Sequence, residues 1–194
     1  MKTRLLLYPV LLLLCGCGDR ELKEMSHKNG QRASRWYEKH VTADSVVKDG
    51  PYESWHANGQ KHDEGEFVEG QRQGKWTSWY ASGQKKCEGK FLNDAEEGSW
   101  IFWHQNGQKS GEGEFLRGQK QGVWTTWHWN GQKESEGEYE GGKEQGKWTR
   151  WWDNGAKESE GEYASGNKQG KWRTWLPDGQ KESEEEYLDG SPKK

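Results

Sequence analysis

Residues 74–97 read GKWTSWYASGQKKCEGKFLNDAEE, and this pattern recurs every 24 residues through six consecutive copies with no insertion. Three series of residues carry the period. They are the turn glycines Gly59, Gly83, Gly107, Gly131, Gly155 and Gly179, the tryptophans Trp76, Trp100, Trp124, Trp148 and Trp172, and the tryptophans Trp79, Trp103, Trp127, Trp151 and Trp175. A period this strict predicts an array in which each copy packs mainly on its neighbours. Such an array presents one surface many times, whereas a catalytic site is usually a unique constellation.

The dipeptide at the centre of each copy predicts a β-hairpin. Ser82-Gly83 lies between two short runs, and the other copies have Asn-Gly or Asp-Gly at this place. These dipeptides are typical of type I′ turns, in which both central residues have positive φ. Counting outward from a two-residue turn gives the expected register. The predicted cross-strand pairs are Tyr80–Lys85, Ser78–Cys87, Trp76–Gly89 and Gly74–Phe91.

One face of the predicted sheet places a large ring opposite a glycine. Side chains alternate between the faces of a strand, so Trp76 and Gly89 share a face. The equivalent pairs are Trp100–Gly113, Trp124–Gly137 and Trp148–Gly161, and only Trp172 departs, with Glu185 opposite it. A glycine leaves room for the indole to lie over the backbone. These rings and the Phe or Tyr residues between them are expected to stabilise the sheet, with about 0.2–1 kcal/mol from each cross-strand pair.

The second tryptophan of each copy lies three positions later and is expected on the opposite face. The row consists of Trp55, Trp79, Trp103, Trp127, Trp151 and Trp175. One interpretation is an ordinary half-exposed face on which charged side chains cover the indoles. The other is a row of candidate binding platforms. A β-bulge that turned both tryptophan rows to one side is a third arrangement compatible with the spacing.

The composition agrees with a thin sheet. Hydrophobic residues make up 29% and charged residues 31% of the chain, but 14 of the 194 residues are Trp. Each aromatic side chain buries about 150–250 Å², so a few rings replace many aliphatic residues. The sequence therefore predicts an all-β fold, an elongated single-layer antiparallel sheet of tandem 24-residue hairpins.

The N-terminus has the pattern of an export signal. Lys2 and Arg4 precede an apolar run over residues 5–14, which is too short to span a bilayer that needs about 20 residues. The ending Leu14-Cys15-Gly16-Cys17 resembles the lipobox of bacterial lipoproteins, which implies cleavage before Cys17 and lipid attachment to its thiol. Gly18 is typical of sorting to an outer membrane where the host has one. The alternative is an ordinary signal peptide with an incidental cysteine.

These features give a domain plan and a location. Residues 1–16 are predicted as a signal peptide, 17–28 as a lipidated tether, 29–49 as a degenerate capping repeat, 50–190 as six repeats and 191–194 as a tail. The expected location is the bacterial cell envelope, with the lipid at Cys17 as the membrane anchor. After cleavage and lipidation of Cys17, Cys87 is the one cysteine with a free thiol, and we interpret it as a small strand residue.

Charge and residue spacing argue against several functions. Without Lys2 and Arg4, 27 basic side chains face 32 acidic ones, a net charge of −5, so no nucleic-acid partner is expected. The six histidines show no HxxxH or HxH spacing, so neither a metal nor a cofactor is predicted. No Ser-His-Asp or Cys-His arrangement is supported, and the chain is predicted not to be an enzyme.

The string G-x-W-x-x-W-x-x-N-G-Q-K-x-x-E-G-x-Y/F resembles the bacterial MORN-repeat variant, found in YwqK-like antitoxin-type proteins. It reads here as Gly122 and Trp124, Trp127, Asn130 to Lys133, and Glu136 to Tyr139. The resemblance covers about residues 50–190. It implies hairpins laid side by side in an elongated twisted sheet, and roles in protein interaction, membrane-associated scaffolding or toxin neutralisation.

Two functions from different classes follow. The first is a lipid-anchored scaffold that binds an envelope protein, in an antitoxin-like or immunity-like role. The second is a cell-wall or glycan-binding module that stacks sugars on the second tryptophan row.

Overall fold

A computed structural model describes residues 20–42 and 45–193, and these residues form one antiparallel sheet of 15 strands. The spatial order of the strands follows the chain order, so each strand pairs with its sequence neighbours. The strands are β1 Arg20–Ser26, β2 Arg32–Thr42, β3 Ser45–Trp55, β4 Lys61–Val68, β5 Gln71–Trp79, β6 Lys85–Leu92, β7 Ala95–Trp103, β8 Lys109–Leu116, β9 Gln119–Trp127, β10 Lys133–Glu140, β11 Lys143–Trp151, β12 Lys157–Ala164, β13 Asn167–Trp175, β14 Lys181–Leu188 and β15 Ser191–Pro192. The predicted all-β sheet of tandem hairpins is confirmed.

We number the six copies from the glycine two positions before each buried tryptophan, or before Tyr52 in copy 1. They cover residues 50–73, 74–97, 98–121, 122–145, 146–169 and 170–193. Each copy contains both turns of the repeat, and the chain passes from one copy to the next inside a strand, as at Gly74 in β5. Residues before copy 1 also belong to the sheet, because Arg20–Ser26, which lies inside the predicted tether, forms β1 and pairs with β2. The predicted lipidation site Cys17 and the predicted signal peptide lie outside the described residues.

The turn within each copy differs from the predicted type. Gly74, Trp76 and Ser78 pair with the expected residues, but Trp79 rather than Tyr80 pairs with Lys85. Lys86 is the extra residue of a bulge, and the loop is closed by bonds from Tyr80 N to Gln84 O and from Gly83 N to Tyr80 O, both 2.9 Å. Only the glycine has positive φ, 86° at Gly83. This is a type I turn followed by a left-handed glycine, the common three-residue hairpin loop, so the expected type I′ turn is wrong here.

Type I′ geometry occurs instead at the turn that ends each hairpin. Asn93 and Asp94 both have positive φ, 52° and 66°, and Leu92 pairs with Ala95 across them. The equivalent central pairs, all with positive φ at both residues, are Glu69-Gly70, Arg117-Gly118, Gly141-Gly142, Ser165-Gly166 and Asp189-Gly190. The chain therefore alternates between a bulged three-residue loop at one end of the strands and a tight two-residue turn at the other end.

A second bulge precedes each buried tryptophan. Between β6 and β7, Lys90 pairs with Glu97 and Glu88 pairs with Ile101, so Gly89 faces the three residues from Gly98 to Trp100. Gly98 makes this possible because its φ is +68°. The bulge brings the indole of Trp100 back over the preceding strand.

The core is a single row in which each tryptophan lies on a glycine of the copy before it. A Cβ atom on Gly89 would stand 2.2 Å from the ring of Trp100, which leaves no room for a side chain. The prediction that Trp76 covers Gly89 is therefore wrong, although the two residues pair in register. The observed contacts are Gly65 with Trp76, Gly89 with Trp100, Gly113 with Trp124, Gly137 with Trp148 and Gly161 with Trp172.

Each buried indole is also fixed by a hydrogen bond and by its neighbours. Trp100 Nε1 donates to the backbone oxygen of Lys90 at 3.2 Å, and the other four repeat this bond. Phe91 packs edge-on between Trp76 and Trp100, with centroid distances of 6.0 and 5.0 Å. The five indoles are only 4–7% exposed, although the sheet has one layer.

Candidate binding faces of the sheet

The two faces of the sheet carry different side chains, and the two tryptophan rows lie on opposite faces. The aromatic face bears Trp76, its four equivalents and the Phe or Tyr residues between them. The charged face bears Trp79 and its equivalents together with lysines and glutamates. The β5 strand pairs regularly from Gly74 to Ser78, so its side chains alternate up to Trp79. The bulge that could have turned both rows to one side falls on β6 instead.

A groove of about 440 Å³ lies on the aromatic face between β3 and β8. Its walls are the buried rings and several partly buried ones, with charged and small polar residues at the sides. The lining residues are Lys48, Tyr52, Asp63, Phe67, Arg72, Trp76, Ser78, Cys87, Phe91, Glu96, Trp100, Phe102 and Phe115. An apolar concavity with a few polar groups is the usual form of a ligand-binding surface.

Two cations of the groove lie against aromatic rings. The ammonium of Lys48 is 4.6 Å from the ring centroid of Tyr52 and 5.0 Å from that of Phe67, and burial lowers its pKa. The guanidinium of Arg72 is 3.8 Å from the centroid of Phe91. Arg72 also donates to Asp94 at 2.8 Å, and this bond lowers the pKa of the Asp94 carboxyl. Contacts within the protein therefore hold both cations in place without a ligand.

The polar part of the groove is a hydrogen-bonded cluster around Asp63. Its carboxylate accepts bonds from Ser54 at 3.1 Å and from Ser78 at 2.5 Å. Cys87 pairs with Ser78 across the strands, and burial raises the pKa of its thiol. A thiol with a raised pKa stays protonated near neutral pH and is a weak nucleophile.

The charged face is a regular lattice. The Lys and Glu of each copy form an ion pair of 2.5–2.8 Å. The pairs are Lys61–Glu64, Lys85–Glu88, Lys109–Glu112, Lys133–Glu136, Lys157–Glu160 and Lys181–Glu184. The bond from Lys85 lowers the pKa of the Glu88 carboxyl, and the bonds from Lys181 and Arg173 lower that of Glu184 to about 2.

The candidate binding tryptophans belong to this lattice. Trp79, Trp103, Trp127, Trp151, Trp175 and Trp55 are all half-buried. The ammonium of a lysine in the preceding copy lies 5.2–5.7 Å from the ring centroid of each of the first five, and the guanidinium of Arg32 lies 5.3 Å from that of Trp55. Each ring therefore already has a cation as its partner, and its binding role stays a prediction.

The sequence analysis did not predict several residues of the two faces. Gly65 was missed because the predicted register paired each glycine with the tryptophan of its own copy. The sequence analysis also did not predict the two groove cations, although Lys48 and Arg72 are 24 residues apart. Their side of the sheet depends on the bulge at the following glycine, which the alternation of a regular strand does not include.

Two further properties concern the described residues. Within 20–42 and 45–193, no three His, Cys, Asp or Glu side chains come close enough together to hold a metal ion. The same part of the chain contains no helix of the length and apolarity that crossing a membrane requires.

The repeat itself matches a known family in two places. The family model described as the MORN repeat variant matches residues 72–93 and 168–189. Two hairpins of this chain therefore match the MORN repeat variant. The matched segments are β5–β6 and β13–β14, four periods apart and in the same phase, so the copies between them continue the same unit. No curated protein matches the chain.

Proposed function

We propose that this protein is a non-enzymatic scaffold and that the groove of the aromatic face binds an elongated protein partner. The observation that supports this proposal is the groove itself, an aromatic-lined concavity that crosses three copies. Aromatic side chains and arginine are enriched where proteins bind one another, and both line this groove.

Variation between copies distinguishes positions along the aromatic face. On the charged face, Lys85 and Glu88 have the same residue type in all six copies, although the position of Thr77 beside them varies. On the aromatic face, the residue at the position equivalent to Ser78 differs between copies. We call such a set of equivalent positions a slot. This slot holds Ser54, Ser78, Phe102, Thr126, Arg150 and Thr174. A partner lying along this face therefore meets different side chains at each copy, which gives the complex one register.

Lipidation at Cys17 completes the proposal. Gly18 and Asp19 alone separate Cys17 from the first residue of β1, so a lipid there would hold the sheet close to the membrane surface. We place the protein in the bacterial envelope, at the outer membrane where one exists. An antitoxin-like or immunity-like action would then be the masking of an envelope protein. Cys17→Ser should release the protein from the membrane fraction, and retention would contradict the anchor.

Site-specific photo-crosslinking in intact cells tests the groove. A photoreactive amino acid replaces Phe102, which lines the groove, or its neighbour Ile101, which pairs with Glu88 on the charged face. The expected result is one discrete protein adduct from position 102 and none from position 101. Phe102→Thr copies the residue of copy 4 and should weaken recovery of that protein through a photoreactive group at position 115. Equal adducts from both faces, or none from position 102, would overturn the proposal.

A further inference from the structure

Within the six copies, two tryptophans lie outside the 24-residue period. The slot of Trp129 holds Ala57, Ala81, Gln105, Asp153 or Pro177 in the other copies, and the slot of Trp152 holds a histidine, Tyr80 or Leu176. Four copies form the same hairpin without a tryptophan at either position. The fold therefore does not require these two rings, and they are neighbours, in copies 4 and 5.

Both tryptophans are held in place at the end of the strands that carries the three-residue loops. Trp129 is 56% exposed, and one side of it stacks on His104 at a centroid distance of 4.7 Å. Asn106 donates to the backbone oxygen of Trp129 at 2.7 Å. Trp152 Nε1 donates to the backbone oxygen of Trp175 at 3.0 Å, which fixes the plane of its ring.

Trp152 lines an open cavity of about 490 Å³ between β9 and β12. The other lining residues are Thr126, His128, Glu134, Ser135, Arg150, Trp151 and Glu158. His128 is fixed by the backbone oxygen of Trp151, 2.7 Å from its Nε2, and the hydroxyls of Thr126 and Ser135 bond each other at 2.7 Å. Arg150 is exposed. Among the described residues no carboxylate lies within ion-pair distance of its guanidinium, so its donors are available.

We propose that this cavity is an oligosaccharide-binding site. An indole offers a flat apolar surface on which the C–H groups of a pyranose ring can lie, while Glu134 and Glu158 can accept bonds from sugar hydroxyls. The guanidinium of Arg150 donates to hydroxyl or amide oxygens in the same cavity. This combination of an aromatic platform with a few convergent polar groups provides both affinity and orientation.

The lining of the cavity argues against two other ligand classes. One guanidinium faces two carboxylates, so the lining is not basic and does not suit a phosphate or a nucleic acid. A quaternary ammonium needs several ring faces around it, and Arg150 would place a like charge beside it. A neutral, hydroxyl-rich ligand meets neither objection.

The spacing of the two rings indicates more than one sugar unit. Equivalent positions of adjacent copies are two strands apart, and strands are spaced about 4.8 Å, so the loops that carry Trp129 and Trp152 are about 10 Å apart. That separation exceeds the width of a single pyranose ring. Trp129 is not among the residues that line the cavity, so the two tryptophans would stack on different units of one chain, Trp152 inside the cavity and Trp129 beyond it. This site is distinct from the groove between β3 and β8, and of the charged-face tryptophans its lining includes Trp151.

Isothermal titration calorimetry of the full chain tests the proposal with the tetramer of N-acetylglucosamine and with cellotetraose. The variants Trp152→His and Trp129→Ala place residues found at the same slots of other copies, so the hairpins should fold. Tyr80→His is the matched control, because it makes the same kind of change in copy 2 outside the cavity. We expect at least one of the two oligosaccharides to bind, and each tryptophan variant to raise its Kd by about tenfold or more, as for loss of an aromatic anchor. The control should leave Kd unchanged.

Three results would overturn the inference. They are the absence of binding to both oligosaccharides, binding that Trp152→His and Trp129→Ala leave intact, and binding of choline in place of sugar with loss in the same variants. Thermal unfolding of each variant shows whether lost binding reflects the site or the fold. None of these results bears on the photo-crosslinking at position 102, so the oligosaccharide site and the protein-binding groove are tested independently.

Discussion

At the scale of single residues, the contact between glycine and indole is the most demanding feature of the sheet. A Cβ atom on Gly113 would stand 2.3 Å from the ring of Trp124, and Trp124 is held by a hydrogen bond to Glu114 O. Gly113→Ala should therefore lower the free energy of unfolding by about 2–3 kcal/mol, because neither backbone nor ring can move freely. Urea unfolding measures the change.

Gly111 in the same strand provides the matched control. The nearest atom to a Cβ there belongs to Phe102 and lies 3.7 Å away, an ordinary contact, and the equivalent slot of copy 4 holds Ser135. Gly111→Ser should change the free energy of unfolding by less than about 1 kcal/mol. Equal losses in the two variants would show that the indole does not set the requirement for glycine.

The sequence identified the glycines that matter but not the ring above each one. Alternation along regular strands pairs Trp76 with Gly89 correctly, yet the bulge at Gly98 places the next indole, Trp100, on that glycine. The same bulge explains Glu185, which departs from the pattern because the described chain has no later tryptophan to lie on it. A bulge depends on the conformation of one residue, and no spacing rule carries that information.

At the scale of the hairpin, side-chain ladders join the loops of successive copies. Asn106 Nδ2 donates to the backbone oxygen of Trp129 at 2.7 Å, and its Oδ1 accepts from Gln108 N at 3.0 Å. Asn29, Asn58, Asn130 and Asn154 make both bonds in the same way. Copy 2 has Ser82 in this slot, whose side chain is shorter.

Ser82→Asn should therefore stabilise the protein. The new amide would reach the backbone oxygen of Gln105, as its equivalents reach the next loop, and one added hydrogen bond contributes about 1 kcal/mol. The reciprocal variant Asn106→Ser should cost a similar amount. Differential scanning calorimetry of both variants checks the pair, and a Ser82→Asn protein that melts at or below the temperature of the unmodified chain would contradict the ladder.

These ladders also explain why the dipeptide signal located the hairpins but gave the wrong turn type. Asn-Gly is favoured in type I′ turns because both residues tolerate positive φ. Here the asparagine is favoured by the two hydrogen bonds of its side chain, and only the glycine needs positive φ. Five of the six type I′ turns have glycine as their second central residue, but their first central residue varies and includes Glu69 and Arg117, which are not typical of this turn. Their geometry follows from the tight pairing of the flanking strands.

At the scale of the whole molecule, the sheet is an array in which contact runs from each copy to the next. The free energy of unfolding should therefore be close to the sum of one contribution from each copy and one from each contact between neighbouring copies. Removal of residues 98–121, one complete copy, joins Glu97 to Gly122 and restores the order of glycine, tryptophan and turn. Trp124 would then lie on Gly89, as Trp100 does now.

This shortened chain should fold cooperatively, with the strand signal in circular dichroism unchanged per residue and a lower melting temperature. Removal of residues 98–109 alone takes away half a copy. β6 would then be followed by β8, the equivalent strand of the next copy, instead of by β7. Gly89 would lose its indole, and the alternation of loop and tight turn would be broken. That variant should fail to give a cooperative transition. If both deletions melted alike, neighbouring copies would not be the units of this sheet, and its stability would depend on contacts that span the array.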